Sequence, residues 1–148
     1  MIARRAGGFT LIELIITIVV AGILTTIGYL RLAPALVHAR VQRAATVVAT
    51  DLQYAQLLAV RQRQPVAVIV DDALKGYIIR LRDTAVTFRR RYFGTDADFG
   101  LDSLGASPAT VVLYPSGVTT GTITVGLGLN GYTRRVKMTR SGQIRILP

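Results

Sequence analysis

An uninterrupted apolar run near the N-terminus limits what this chain can fold into. Residues 9–30 read FTLIELIITIVVAGILTTIGYL, and Glu13 is the one charged residue among them. As an α-helix, a run of this length spans roughly 33 Å, which matches the hydrocarbon core of a bilayer at about 30 Å. Arg4 and Arg5 precede the run and Arg31 follows it. Because short basic N-termini stay in the cytoplasm, the rest of the chain is predicted to lie on the opposite side.

A secretory signal peptide is the first alternative for such a run. A signal peptide would have a shorter apolar core, followed by a cleavage site of the Ala-x-Ala kind. This run is longer, and residues 31–34, Arg-Leu-Ala-Pro, make a poor cleavage site. The run is therefore predicted to remain as a membrane helix.

Glu13 is the unusual residue in this helix. An unpaired carboxylate costs about 2.5 kcal/mol or more at the centre of a bilayer, and less near the interface. Glu13 lies about one turn into the run. By position alone, it either stays near the interface or pairs with a cation from another chain.

The residues around Glu13 carry a specific resemblance. Residues 8–14 read GFTLIEL after a short basic leader, and this segment resembles, letter for letter, the class III signal of type IV prepilins. The resemblance implies that prepilin peptidase cleaves between Gly8 and Phe9 and that Phe9 is then N-methylated. It also implies that Glu13, by then the fifth residue, pairs with the N-terminal amine of a neighbouring subunit during assembly. Such a pair keeps both charges tolerable in a low dielectric.

An amphipathic helix is predicted after the membrane segment. Pro34 is expected to kink or end that segment. Small apolar residues then recur every three or four positions over residues 35–64, opposite basic and polar residues. The apolar stripe is rich in alanine, which suits close packing on a sheet, and Pro65 ends the helix.

Short β-rich runs separated by turns make up residues 65–148. Strands are predicted over residues 66–70, 77–82, 86–93, 110–114, 122–129, 132–139 and 143–147. Residues 94–108 are predicted to form a loop, and Asn130-Gly131 is a strong hairpin signal. The fold class is therefore α+β, with a long N-terminal helix packed on an antiparallel sheet. The prepilin resemblance implies the same pilin-like architecture.

Three regions follow from these predictions. Residues 1–8 form a leader peptide, residues 9–34 a transmembrane and assembly helix, and residues 35–148 a globular domain.

The segment DLQYAQLLAVR at residues 51–61 and the C-terminal segments RRVK and SGQIRI resemble a narrower group. This group contains the H-type pseudopilins of type II secretion and the FimT-type minor pilins.

The narrower resemblance implies a location, partners and a role. The chain is expected in the bacterial inner membrane as a single-pass protein, with a cytoplasmic N-terminus and a periplasmic globular domain, and later in a pseudopilus or pilus. Implied partners are prepilin peptidase, other pseudopilins or minor pilins, an inner-membrane assembly platform and, before assembly, membrane lipid. We favour an H-type minor pseudopilin of type II secretion. The alternative is a FimT-like minor pilin in pilus assembly or DNA uptake.

The C-terminal segment, residues 130–148, is basic and contains no acidic residue. Its cations are Arg134, Arg135, Lys137, Arg140 and Arg145. A surface of this kind attracts nucleic acid or acidic lipid. FimT-type pilins bind DNA through a Gly-Arg-x-Arg motif, but residues 142–145 read GQIR here, so the first arginine is missing. We favour a solvated face, or pairing with acids of neighbouring subunits, over DNA binding.

A second basic cluster lies at Arg89, Arg90 and Arg91. On a β-strand, Arg89 and Arg91 would point to one face and Arg90 to the other. A continuous groove for DNA therefore does not follow from the number of arginines.

Composition argues against most site chemistry. The 148 residues carry 18 Lys+Arg against 8 Asp+Glu, a formal charge of +10, with no Cys and a single His. Thiolate and His-cluster metal sites are thereby excluded. Asp96, Asp98 and Asp102 are interpreted as a polar loop rather than a calcium site, and His38 as a surface residue. No nucleophile–base pair is visible, so neither catalysis, a cofactor nor a metal is predicted.

Overall fold

The computed structural model of the protein describes residues 9–84 and 86–148, without the side chain of Leu30. The leader over residues 1–8, including Gly8 at the expected cleavage point, lies outside the described residues. The chain divides into two compact units, Met1–Leu36 and Val37–Pro148.

One long helix, α1 (Leu11–Gln62), follows Phe9 and Thr10. Pro34 lies inside α1. Of the two predicted outcomes at this residue, a kink or the end of the helix, the second is therefore wrong. Proline removes a single hydrogen bond from the ladder, and a helix this long continues across the gap. The C-terminal end comes slightly before the predicted residue 64, because Arg63 adopts a left-handed φ of 53°.

The part of α1 in the first unit has the character of a membrane span. α1 is long and apolar enough to cross a bilayer, and none of its apolar window is buried against the chain. The hydroxyls of Thr17, Thr25 and Thr26 donate to the carbonyls four residues earlier, at 2.6–2.9 Å. These hydrogen bonds satisfy the polar groups within the helix itself, as a lipid environment requires.

Two antiparallel sheets follow α1 in the second unit. The described strands are β1 (Val66–Asp71), β2 (Gly76–Leu81), β3 (Thr87–Tyr92), β4 (Ser103–Ser107), β5 (Thr110–Leu113), β6 (Ile123–Leu129), β7 (Tyr132–Met138) and β8 (Ile144–Leu147). Sheet A has the order β3-β2-β1-β5, and sheet B has the order β4-β6-β7-β8. The predicted α+β class with antiparallel pairing is confirmed.

The predicted strands all form, with bounds shifted by a residue or two. The hairpin signal is also confirmed, because Asn130 and Gly131 join β6 to β7 with φ angles of 50° and 80°, the left-handed pair of a type I′ turn. The prediction of a loop over residues 94–108 is wrong at its end, where β4 pairs with β6. The sequence of β4, SLGAS, has little β-propensity, and pairing with its neighbour decides its conformation.

A single core joins α1 to the inner faces of both sheets. The helix contributes the predicted stripe of small and medium side chains, each almost fully buried: Val41, Ala44, Ala45, Val48, Leu52, Ala55, Leu58 and Ala59. Alanine keeps the helix backbone close to the sheets, so this stripe sets the distance between the layers.

Enlarging a residue of this stripe is expected to destabilise the second unit. Ala55 is fully buried, so Ala55→Leu should lower the free energy of unfolding by about 1–3 kcal/mol through overpacking. Thermal unfolding of the detergent-solubilised full chain, followed by circular dichroism, measures the effect. Gln53→Leu, at an exposed position of the same helix, is the matched control. Equal melting temperatures for the two variants would contradict this account of the core.

Candidate functional site

The start of α1 presents the residues that the prepilin resemblance singles out. Phe9 is largely exposed, and Glu13 lies exposed in the first helical turn. The backbone N–H of Glu13 donates to the hydroxyl of Thr10 at 3.3 Å, the N-capping contact of a Thr-x-x-Glu sequence. The cap uses the backbone of Glu13 and leaves its carboxylate available to a cation from outside the chain.

The basic residues of the C-terminal segment separate into two sets. Arg135 and Lys137 are exposed on β7, and Arg145 is exposed on β8, directly opposite Lys137 in the register. These three cations share the outer face of sheet B. Apart from the half-buried Leu147 of the edge strand β8, which lies opposite Arg135, the rest of that face consists of small and polar residues: Ser103, Gly105, Ser107, Thr124, Gly126, Gly128 and Thr133.

Arg134 and Arg140 lie apart from that face. Arg134 is half-buried, and its Nε donates to the hydroxyl of Tyr132 at 2.7 Å. The ring of Tyr132 also stacks on His38 of α1, with 3.9 Å between centroids. His38 is exposed, as predicted. Arg140 lies in the turn before β8, where its carbonyl accepts a hydrogen bond from the N–H of Thr119.

Gly142 has a structural role in the GQIR segment. Its φ is +81°, and a Cβ atom there would meet the side chain of Gln56 and the carbonyl of Gly117. The Nε2 of Gln56 donates to the carbonyl of Gly142 at 3.0 Å. The turn before β8 is thereby attached to α1, while Gln143 remains exposed on the same side of the chain as Arg145.

A buried ionic cluster joins α1 to sheet A. Asp51, 2% exposed, accepts hydrogen bonds from the hydroxyl of Tyr77 at 2.6 Å and from Nε of Arg91 at 2.8 Å. Arg89 donates to the second carboxylate oxygen. The guanidinium of Arg89 also lies over the ring of Tyr54, 4.3 Å from its centroid. We refer to these five residues as the Asp51 cluster.

The cluster shifts the acid–base properties of its members. Burial raises the pKa of Asp51, but hydrogen bonds from Arg91, Tyr77 and Arg89 outweigh burial, so the pKa lies below its ordinary value. Burial and the adjacent carboxylate raise the pKa of Tyr77. The hydrogen bond to Asp51 raises the pKa of Arg91. The carboxylate is therefore ionised at neutral pH and holds two guanidinium groups.

This cluster changes the interpretation of the Arg89–Arg91 triplet. The predicted alternation is confirmed, since Arg89 and Arg91 point inward and Arg90 is exposed. Two of the three arginines are consequently paired with Asp51, with 34% of each side chain still exposed. Sequence reasoning did not identify Asp51 as their partner, although a single acid on an otherwise apolar helix stripe is a signal for a buried ion pair.

The described residues contain no group of three or more His, Asp or Glu side chains placed to hold a metal ion. Asp102, one of the acids weighed for calcium, instead accepts a hydrogen bond from the N–H of Asn130 at 2.7 Å. It therefore supports the β6–β7 hairpin.

Two family models match separate parts of the chain. Residues 44–142 match the model described as type II transport protein GspH. Residues 3–29 match the prokaryotic N-terminal methylation motif. No curated protein gives a significant sequence match.

Solved structures of a minor pilin have a similar fold. In one crystal form, the type IV minor pilin FimU of Pseudomonas aeruginosa superposes with a TM-score of 0.58 and 23% identity, covering 72% of this chain and 92% of that one. A second crystal form gives 0.60 and 23%, covering 75% and 90%. At this level of identity, the likeness shows the fold.

Removing the carboxylate of Asp51 is expected to destabilise the protein strongly. Asp51→Asn keeps the shape but leaves two arginines, each 34% exposed, without their counter-charge, which should cost about 1–3 kcal/mol once screening by water is allowed for. Thermal unfolding of the detergent-solubilised full chain measures the loss. Asp98→Asn, at an exposed acid, is the control and should change stability by less than about 0.5 kcal/mol.

The same pair of variants should differ in pH dependence. Because the folded-state pKa of Asp51 is lowered, the cluster stabilises the fold fully above the unfolded-state pKa of about 4, and this contribution is lost as the pH falls below that value. The melting temperature of the wild type should therefore fall more steeply below pH 4 than that of Asp51→Asn. Parallel pH profiles would contradict an ionised Asp51 in the core.

Proposed function

The chain belongs to the type II transport protein GspH family of prepilin-like proteins, and from this premise we propose that it is an H-type minor pseudopilin. In this proposal, prepilin peptidase removes residues 1–8 and methylates Phe9. Before assembly, the mature chain lies in the inner membrane, with its second unit in the periplasm. It then enters the pseudopilus of a type II secretion system through the N-terminal part of α1, with the other pseudopilins and the assembly platform as partners.

The observation that carries the proposal is the single carboxylate at the start of an otherwise apolar helix. Glu13 lies in the first turn of α1, exposed, with its backbone already capped by Thr10. Cleavage at Gly8 creates a cation at Phe9. The Glu13 carboxylate of one subunit can neutralise that amine in the next, which lowers the cost of keeping either charge in an apolar environment.

Assembly also accounts for the exposed apolar surface of the first unit. Apart from Leu30, whose side chain is not described, its large apolar side chains between Leu11 and Leu36 are exposed, which suits lipid before assembly. Helices of neighbouring subunits would replace the lipid in the filament. No new fold is required for this transfer, because the backbone and hydroxyl hydrogen bonds of the helix are internal.

A second candidate, a FimT-like minor pilin that binds DNA, is supported by one specific arrangement. Arg135, Lys137 and Arg145 lie next to one another on the outer face of sheet B. Phosphate groups of DNA would be attracted to these cations. Against this candidate, Gln143 occupies the place of an arginine, and the described residues offer few aromatic side chains near the three cations for stacking on bases.

Replacement of Glu13 tests the proposed assembly role. Glu13→Ala and Glu13→Gln remove the charge but keep the backbone cap to Thr10, so the start of the helix should stay intact. The amount of each variant in the sheared filament fraction should be lower than that of the wild type by about tenfold or more. A tenfold change corresponds to the free energy of a modest ion pair. Cleavage of the leader, read by the mass of the membrane-bound chain, should continue.

Glu13→Asp and Thr17→Ala serve as controls for this experiment. Glu13→Asp keeps a carboxylate and should retain part of the incorporation into the filament fraction. Thr17→Ala removes a hydroxyl one turn further along the helix and leaves the carboxylate of Glu13 in place. Normal incorporation of Glu13→Ala would rule out the proposed pairing. Loss of cleavage in the same variant would instead place Glu13 in recognition by the peptidase.

A salt titration distinguishes the second candidate. If sheet B binds DNA, changing Arg135, Lys137 and Arg145 together to Ala should lower the slope of log K against log salt by about 2.7, since each phosphate contact contributes about 0.9. The control triple variant changes Arg40, Arg61 and Arg63, which are exposed elsewhere. Equal slopes for the two triple variants, or no binding by the wild type near physiological salt, would leave the secretion role as the supported one.

A further inference from the structure

The two sheets differ in the residues that they turn away from the core. An antiparallel sheet with one solvated face usually has polar residues on that face. The centre of the outer face of sheet B follows this rule, with serine, threonine, glycine and cationic residues, and its one large aliphatic side chain, Leu147, lies on the edge strand β8. The outer face of sheet A does not.

Aliphatic side chains occupy the centre of the outer face of sheet A. Ile69 of β1 lies opposite Ile78 of β2, and Ala67 lies opposite Val112 of β5. Ala67 is buried and the other three are half-buried, yet none belongs to the core cluster or packs against it. At the edge of this face, the ring of Tyr92, 46% exposed, lies over Gly76.

Two arginines flank the aliphatic centre. Arg80 lies opposite Ala67, and Arg90 lies opposite Ile78. The Nε atom of Arg80 is buried and has no hydrogen-bond partner among the described residues. A buried donor without a partner is costly, and a carboxylate can accept hydrogen bonds from a guanidinium in a bidentate manner. The face therefore offers an apolar centre flanked by the half-buried guanidinium of Arg80 and the exposed guanidinium of Arg90.

The nearby acids are committed elsewhere. Asp71 accepts hydrogen bonds from the N–H groups of Ala73 and Leu74 in the β1–β2 turn. The carboxylate of Asp72 lies beside Gly105 of sheet B, and Asp83 pairs with the exposed Arg82 at 3.9 Å. The described part of the chain thus supplies no carboxylate to Arg80 or Arg90.

We propose that the outer face of sheet A docks a different, acidic protein subunit of the same filament, which covers Ile69 and Ile78 with apolar side chains and places a carboxylate on Arg80. This inference rests on the proposed function. Charge complementarity selects the occupant, because the face is cationic and the side chains of the chain without its leader, which holds Arg4 and Arg5, carry a formal charge of 10 − 2 = +8. A second copy would bring like charges together, which disfavours self-association through this face.

The absence of cysteine from the sequence makes the test specific, because an introduced thiol is unique. Thr110→Cys places a thiol on the outer face of sheet A, opposite Ile69, at an exposed position. A benzophenone attached through maleimide then cross-links, on illumination, whatever covers the face. Thr133→Cys, exposed on the outer face of sheet B, is the matched control. The full-length chain is produced in its own host, and membrane and sheared filament fractions are both collected.

The expected result is an adduct between the Thr110→Cys chain and one other protein, absent from Thr133→Cys. Adding Arg80→Glu should reduce this adduct by about tenfold or more, as loss of one partner of a desolvated ion pair does. Arg90→Glu changes an exposed residue of the same face and should also reduce the adduct. Arg145→Glu, on sheet B, should not. Resistance of each variant to protease verifies that it is folded.

Three results would overturn the docking surface: no protein adduct from Thr110→Cys in folded chains, an adduct of two copies of this chain, or an adduct unaffected by both Arg80→Glu and Arg90→Glu. If one of these three results is obtained while the chain is present in the filament fraction, the proposed function stands. If the chain is missing from the filament fraction, the proposed function fails. In that case, an adduct in the membrane fraction that decreases with Arg80→Glu would still support docking of an acidic subunit.

Discussion

The buried carboxylate of Asp51 is the contact on which the arrangement of α1 and sheet A depends. A carboxylate in the core is tolerable only when partners replace the water that it has lost. Tyr77 of β2 and Arg89 and Arg91 of β3 are those partners. Because three donors on two neighbouring strands converge on one helical residue, the cluster fixes both the rotation of α1 about its axis and the pairing of β2 with β3.

The same cluster decides which arginines the protein presents to its surroundings. Alternation along β3 directs Arg89 and Arg91 toward Asp51, which leaves Arg90 on the outer face of sheet A. Each sheet therefore presents some of the cations of the second unit on its own outer face. Sheet B presents Arg135, Lys137 and Arg145 on a surface of small polar residues, whereas sheet A presents two arginines beside an aliphatic centre. Two chemically different faces suit a family whose members act by assembly.

Local signals explain the parts of the fold that were predicted correctly. The alanine-rich stripe of α1 and the Asn130-Gly131 turn act within a few residues, so their periodicity and φ preferences are readable in the sequence. The strand β4 and the division into two sheets were missed because they depend on pairing between distant segments. Pro34, expected to kink or end the first segment, lies inside α1, since one lost hydrogen bond does not outweigh the many that surround it.

For the functional residues, the sequence by itself determined the apolar helix, the GFTLIEL signal and the place of Glu13 within it, since each depends on neighbouring residues alone. It also determined the number of cations but not their accessibility. Only the tertiary structure decided that Arg89 and Arg91 pair with Asp51, that Gly142 is held against Gln56, and that Arg80 has a buried Nε. The physical reason is that burial and pairing of charges depend on contacts between segments far apart in the chain, which no local pattern of residues specifies.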